Sequence, residues 1–198
     1  SHRKPAVKNL VGSVREGLSD LFSLPEGYEI VLSLGGATAF WDAATLRLVE
    51  RLSAHLSFGD FSTKFAKATA TAPWLDAPSI VESPVGTAPN PRDLSAEADV
   101  AAWVHNETST GAMAEIVRPH PRNDQQLVVV DATSGAGGLP VNISDTDVYY
   151  FSPQKCFASD GGLWLAAMSP AALERIEKIN ASERYIPQFL NLQTSYEQ

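Results

Sequence analysis

Apolar residues near the start of the chain recur at three- and four-residue steps: Val7, Leu10, Val11, Val14, Leu18, Leu21 and Phe22 form one stripe. That spacing puts them on a single face of a helix over residues 7–22, which Pro25 and Gly27 stop. Beyond it the pattern changes to short apolar runs at 29–34, 54–58, 79–82, 100–105, 127–131, 148–151 and 163–168. These are rich in Val and Ile and bounded by Gly, Pro, Asn or Asp, as strands buried on both faces are. Helical periodicity returns at 37–51, 62–71 and 170–180, the last opening on Ser169-Pro170, an N-cap followed by proline at the first helical position. Seven strands alternating with helices predict an α/β fold: a three-layer α/β/α sandwich around a mostly parallel seven-stranded sheet. Residues 83–96 and 118–126, rich in proline and polar residues, read as surface loops.

Composition narrows the partners. A chain of 198 residues with 44% hydrophobic content fits one domain with its own core. Its formal net charge of -8, with no basic patch, argues against a nucleic-acid partner and leaves a small molecule or another copy of the chain. A single cysteine, Cys156, cannot close an internal disulfide, and the opening residues do not read as a secretory signal. No apolar run is long enough to span a bilayer. The expectation is a cytoplasmic protein in a reducing compartment with no membrane partner. Because the chain opens almost directly on a helix and ends in a polar segment, it also reads as truncated at both ends.

In open α/β sheets, ligands sit at the carboxyl ends of strands, so the residues that follow each strand matter most. Four junctions stand out. Leu34-Gly35-Gly36-Ala37-Thr38 is a small-residue turn into a helix, where free amides and the helix dipole attract a phosphate; it is also a common kind of turn. The polar run 105–111 (His-Asn-Glu-Thr-Ser-Thr-Gly) either lines a pocket or forms a capped turn. Asp131 ends a buried strand, where a carboxylate needs a cation, a ring of hydrogen bonds or a metal unless it merely caps the next turn. Lys155 lies among Phe151, Pro153, Cys156 and Phe157, and apolar neighbours would disfavour its ammonium form and make it a nucleophile toward a carbonyl. An exposed loop lysine is the alternative.

Taken in order along the chain, these junctions resemble the fold-type-I pyridoxal-phosphate enzymes of the class-V aminotransferase family, in its phosphoserine-handling, actinobacterial branch. The resemblance is carried by Ser1-His2-Arg3, Gly35-Gly36-Ala37-Thr38-Ala39-Phe40, Phe58-Gly59-Asp60-Phe61-Ser62, and the runs 105–111, 131–138 and 153–162. It implies pyridoxal 5′-phosphate as cofactor and no metal. It makes Lys155 the catalytic residue, which carries the cofactor and later moves the proton between Cα and the cofactor's C4′, and it sets Asp131 against the pyridinium nitrogen. Phe61 would stack on the ring, where many relatives place Trp, and Thr108 would bond the ring hydroxyl. Gln154 and the amides around Gly36, Ala37 and Thr38 would hold the phosphate. Arg3, with His2, would anchor a substrate carboxylate or phosphate. Cys156 stands where Asn is more usual and reads as a small buried neighbour.

The same resemblance implies small-molecule substrates: O-phospho-L-serine and 2-oxoglutarate, giving 3-phosphooxypyruvate and L-glutamate in serine biosynthesis. It further implies a homodimer with active sites at the interface. Residues 1–198 would then be the cofactor-binding large domain, incomplete, without the small C-terminal domain. Competing readings are another class-V activity, of the alanine–glyoxylate transaminase or cysteine desulfurase type, and a non-catalytic fragment.

Overall fold

A computed structural model describes residues 4–119 and 123–196. The element order is α1 (Pro5–Phe22), β1 (Glu29–Leu34), α2 (Gly36–Arg47), β2 (Ser53–Ser57), α3 (Asp60–Ala70), β3 (Ser79–Glu82), β4 (Val100–Val104), β5 (Leu127–Asp131), β6 (Val148–Phe151), β7 (Leu163–Met168), α4 (Pro170–Asn180) and α5 (Leu192–Tyr196), with short 3-10 turns between some of them. The strands form one sheet in the order β1-β7-β6-β5-β4-β2-β3. The pairs from β3 through β6 are parallel, while β7 runs antiparallel to both β6 and β1. The expected α/β architecture with a mostly parallel seven-stranded sheet is therefore present, made mixed by the antiparallel β7.

Alternation along the strands divides the core in two. Val128, Val130, Tyr149 and Phe151 face Leu18 and Phe22 of α1, whereas Leu127, Val129, Val148 and Tyr150 face residues of α2, α3, α4 and α5. The central strands β2, β4, β5 and β6 are buried along their whole length; β4, β5 and β6 accordingly read as largely apolar runs, while β2 buries Ser53, His55 and Ser57 as well. Helix α4 starts where proline predicts, with Ser169 Oγ accepting from the Ala172 amide at 3.2 Å.

Two expectations shift. The helix predicted over 37–51 ends at Arg47, because the amides of Glu50, Arg51 and Leu52 all donate to the Asp99 carboxylate at 2.8 Å and turn the chain into β2. The apolar stripe of α1 is buried at Leu18 alone; Leu10 remains 64% exposed and Leu21 57% exposed among the described residues.

Candidate active site

The carboxyl ends of β1, β4, β5 and β6 surround a cleft of about 290 Å³, close to the lower bound of ordinary small-molecule sites. Gly36, Ala37, Thr38, Phe61, Thr108, Asp131, Gln154 and Lys155 all line it. Every residue expected to hold the cofactor thus meets in one place, although they come from five separate stretches of chain. His2 and Arg3, the expected substrate anchors, lie outside the described residues.

On one wall, β1 passes into α2 through Gly35, whose φ of 110° is open to glycine and strained for other residues. A Cβ there would also come within 2.5 Å of the Ala39 Cβ. The Gly35 amide donates to the Gly162 carbonyl at 2.8 Å, tying this turn to the end of the Lys155 loop. No side chain caps the N-terminus of α2, so its first amides and the positive end of its dipole face the cleft without an internal anion.

Helix α3 contrasts with it. Its N-terminus is capped by Glu107, a side chain with 0% exposure that accepts from the Ser62 amide at 2.9 Å, the Phe61 amide at 3.1 Å and the Ser109 hydroxyl at 2.7 Å. Burial alone would raise the Glu107 carboxyl, but the donors from Ser62, Ser109 and Phe61 outweigh it and hold it below the usual carboxylate range. Glu107 thereby fixes the start of α3, and with it Phe61, which leans into the cleft at 36% exposure.

Asp131 forms the floor. It is 4% exposed; the Thr133 amide reaches Oδ1 at 2.9 Å, the Trp41 indole Nε1–H reaches Oδ2 at 3.0 Å, and the Thr133 and Tyr150 hydroxyls lie beside the carboxylate. Burial pushes its carboxyl up, with the donors from Thr133 and Trp41 pulling the other way. No cation pairs with it among the described residues. Beside it, Thr108 donates its hydroxyl hydrogen to Ser134 Oγ at 2.8 Å, and Ser134 passes its own to the Asn106 carbonyl at 2.9 Å. Thr108 therefore presents lone pairs toward a ligand. His105, next in the polar run, points to the opposite face; its Nδ1 lies 3.1 Å from the Tyr149 hydroxyl, and burial holds the ring down at about 4.

The Lys155 loop is seated from below. Phe157 stacks on Phe151 at 4.8 Å and packs over Gly137, where a Cβ would approach within 3.1 Å and φ is 79°. That contact accounts for Gly137, while Gly135 packs against His105 and Gly138 against Cys156. Two expectations about this loop are corrected. Lys155 is exposed on the rim and not enclosed by apolar side chains, because Phe157 turns down toward the sheet. Cys156 is exposed as well, with Sγ 4.0 Å from the Ser134 carbonyl, because its loop lies over the turn that follows Asp131 and does not enter the core.

Trp41, Ser134, Asn106 and Ser152 join the lining without having been singled out individually. Trp41 sits in α2 just beyond the small-residue run, and its apolar character gave no sign of a polar partner. An unsatisfied carboxylate at 131 was the available signal.

The cleft thus brings a phosphate-type turn, a buried strand-end carboxylate and a rim lysine to one edge of a mixed sheet, and the sequence family described as aminotransferase class-V matches residues 84–196. The chain belongs to the class-V aminotransferase family. Over 98% of its length it is 73% identical to the phosphoserine aminotransferase of Corynebacterium glutamicum, covering 51% of that protein. It is 59% identical to the phosphoserine aminotransferase of a Nocardioides species, again over 98% of this chain and covering 52% of the relative. The crystal structure of a phosphoserine aminotransferase from Cytophaga hutchinsonii superposes with a TM-score of 0.91 at 26% identity, over 100% of this chain and 55% of that one. The chain spans about half the length of the curated relatives it matches.

Proposed function

We propose that the cleft holds pyridoxal 5′-phosphate and that the chain is the cofactor-binding large domain of an aminotransferase acting on O-phospho-L-serine and 2-oxoglutarate. The observation that carries the cofactor reading is Asp131, a buried carboxylate held by neutral donors and lacking a cation. A protonated ring nitrogen would supply that cation. The uncapped amides of α2 on the adjoining wall suit a phosphate, so the two ends of one molecule are matched.

Bound pyridoxal phosphate supplies an electron sink for the bond pair left at the amino acid's Cα. The chain's own groups do the rest. Lys155 Nζ would hold the cofactor and, as the free amine, would take the proton from the substrate's Cα and return it. Asp131 would keep the ring nitrogen protonated, Phe61 would cover the ring face, and Thr108 Oγ1 would accept from the ring hydroxyl. The amides of Gly36, Ala37 and Thr38, with Gln154, would hold the phosphate.

Lys155 is the one cation lining the cleft among the described residues. Substrates with two or three anionic groups need more, and we assign these to Arg3, His2 and a second copy of the chain in a homodimer. No helix among the described residues is long and apolar enough to cross a membrane. The similarity to named phosphoserine aminotransferases supports the substrate choice over alanine–glyoxylate or desulfurase chemistry. Turnover of the full-length protein with phosphoserine, alanine, serine and cysteine tests it. Preference for phosphoserine is expected; equal or better use of alanine or cysteine would assign a different class-V activity.

A further inference from the structure

Helix α2 opens with the amides that face the cleft and, a turn and a half later, carries Trp41. Trp41 is 6% exposed and lines the cleft, and its indole donates to Asp131 Oδ2 at 3.0 Å. An indole N–H is a donor only, so it cannot reverse to accept from a protonated carboxyl; it supports the ionised form. With the Thr133 amide on the other oxygen, the carboxylate is held from both sides where it lines the cleft. The indole is held in turn: its ring lies parallel to Phe65 at 6.4 Å, with 16° between the planes.

We propose that Trp41 is a positioning residue for the cofactor's ring nitrogen: acting through Asp131, it ties the carboxylate to the same rigid helix whose first amides face the phosphate. The two ends of the ligand are thereby held in fixed register. This rests on the cofactor reading above.

The test is a double-mutant cycle on the full-length protein, with the dissociation constant for pyridoxal phosphate as readout. Trp41→Phe keeps the ring in its packing position and removes only the donor. Its affinity should fall about tenfold, the usual scale for a hydrogen bond to a charged group. In an Asp131→Ala background the same change should have no further effect. Wild-type affinity in Trp41→Phe, or an equal loss with and without Asp131, would overturn the proposal and leave Trp41 as core packing. Should Trp41→Phe fold poorly, the indole N–H resonance of the wild-type protein serves instead: it should move in Asp131→Ala, and an unmoved resonance overturns the proposal. Failure of the wild-type protein to form any borohydride-reducible adduct would instead overturn the cofactor reading, and this is seen before any variant is compared.

Discussion

Asp131 is destabilising in the absence of a ligand, and that makes it testable by pH. Burial raises its carboxyl, so the folded chain holds this proton more tightly than the unfolded chain does. The sign follows: its contribution to stability falls as pH rises from the ordinary carboxylate range through the raised value. Urea unfolding of the cofactor-free protein from about pH 4 to pH 7 should show that downward contribution, and Asp131→Asn should lack it. The same variant should lose roughly a hundredfold in turnover, since a neutral amide cannot keep the ring nitrogen protonated. Near-normal turnover would reduce Asp131 to a turn cap. For Lys155 the expectation is starker: Lys155→Ala should retain the fold, because the side chain is exposed, and lose all transamination in a phosphoserine assay.

Secondary-structure elements meet at the cleft through their ends, and Glu107 shows how one end is set. It serves the N-terminus of α3 with both oxygens, surrounded entirely by donors. Glu107→Gln would turn an amide N–H toward those donors and should cost about 2–3 kcal/mol in urea unfolding, with weaker cofactor binding as Phe61 loses its anchor. Unchanged stability would mean that the cap is redundant. Strand positions were legible in the sequence because β4, β5 and β6 are buried on both faces and so read as largely apolar runs between turn residues. That the eight residues proposed to hold the cofactor share one cleft was legible from their order along the chain and from a family resemblance, not from spacing alone. The end of α2 was not legible, since Asp99, some fifty residues away, supplies the acceptor that stops it. Trp41 was hidden for a similar reason: an indole in an apolar helix gives no local sign that its N–H meets a carboxylate ninety residues on. The exposure of Lys155 and Cys156 depends on where Phe157 packs, which only the tertiary fold decides.

Across the molecule, each face of the sheet buries a histidine that stays neutral. His55 lies among Ser53, Thr69 and Phe65 on one side and His105 beside Tyr149 on the other, and burial lowers them to about 3 and about 4 respectively. Their stabilising contribution is complete above the unfolded value of about 6.5 and is lost as pH falls toward the folded values. Near pH 5 unfolding should take up about two protons from this pair, a slope of roughly 3 kcal/mol per pH unit, with Asp131 acting in the opposite direction. His55→Gln should remove about half of the pair's share, as read from unfolding free energies at several pH values. The central claim, that the strand-end cleft is a pyridoxal-phosphate site built on Lys155 and Asp131, is tested most directly by chemical trapping. The protein is saturated with pyridoxal phosphate, reduced with borohydride and digested, and the modified peptide is identified by mass. The account predicts one pyridoxyl group on Lys155, absent from Lys155→Ala; no adduct, or an adduct on another lysine that persists in Lys155→Ala, would contradict it.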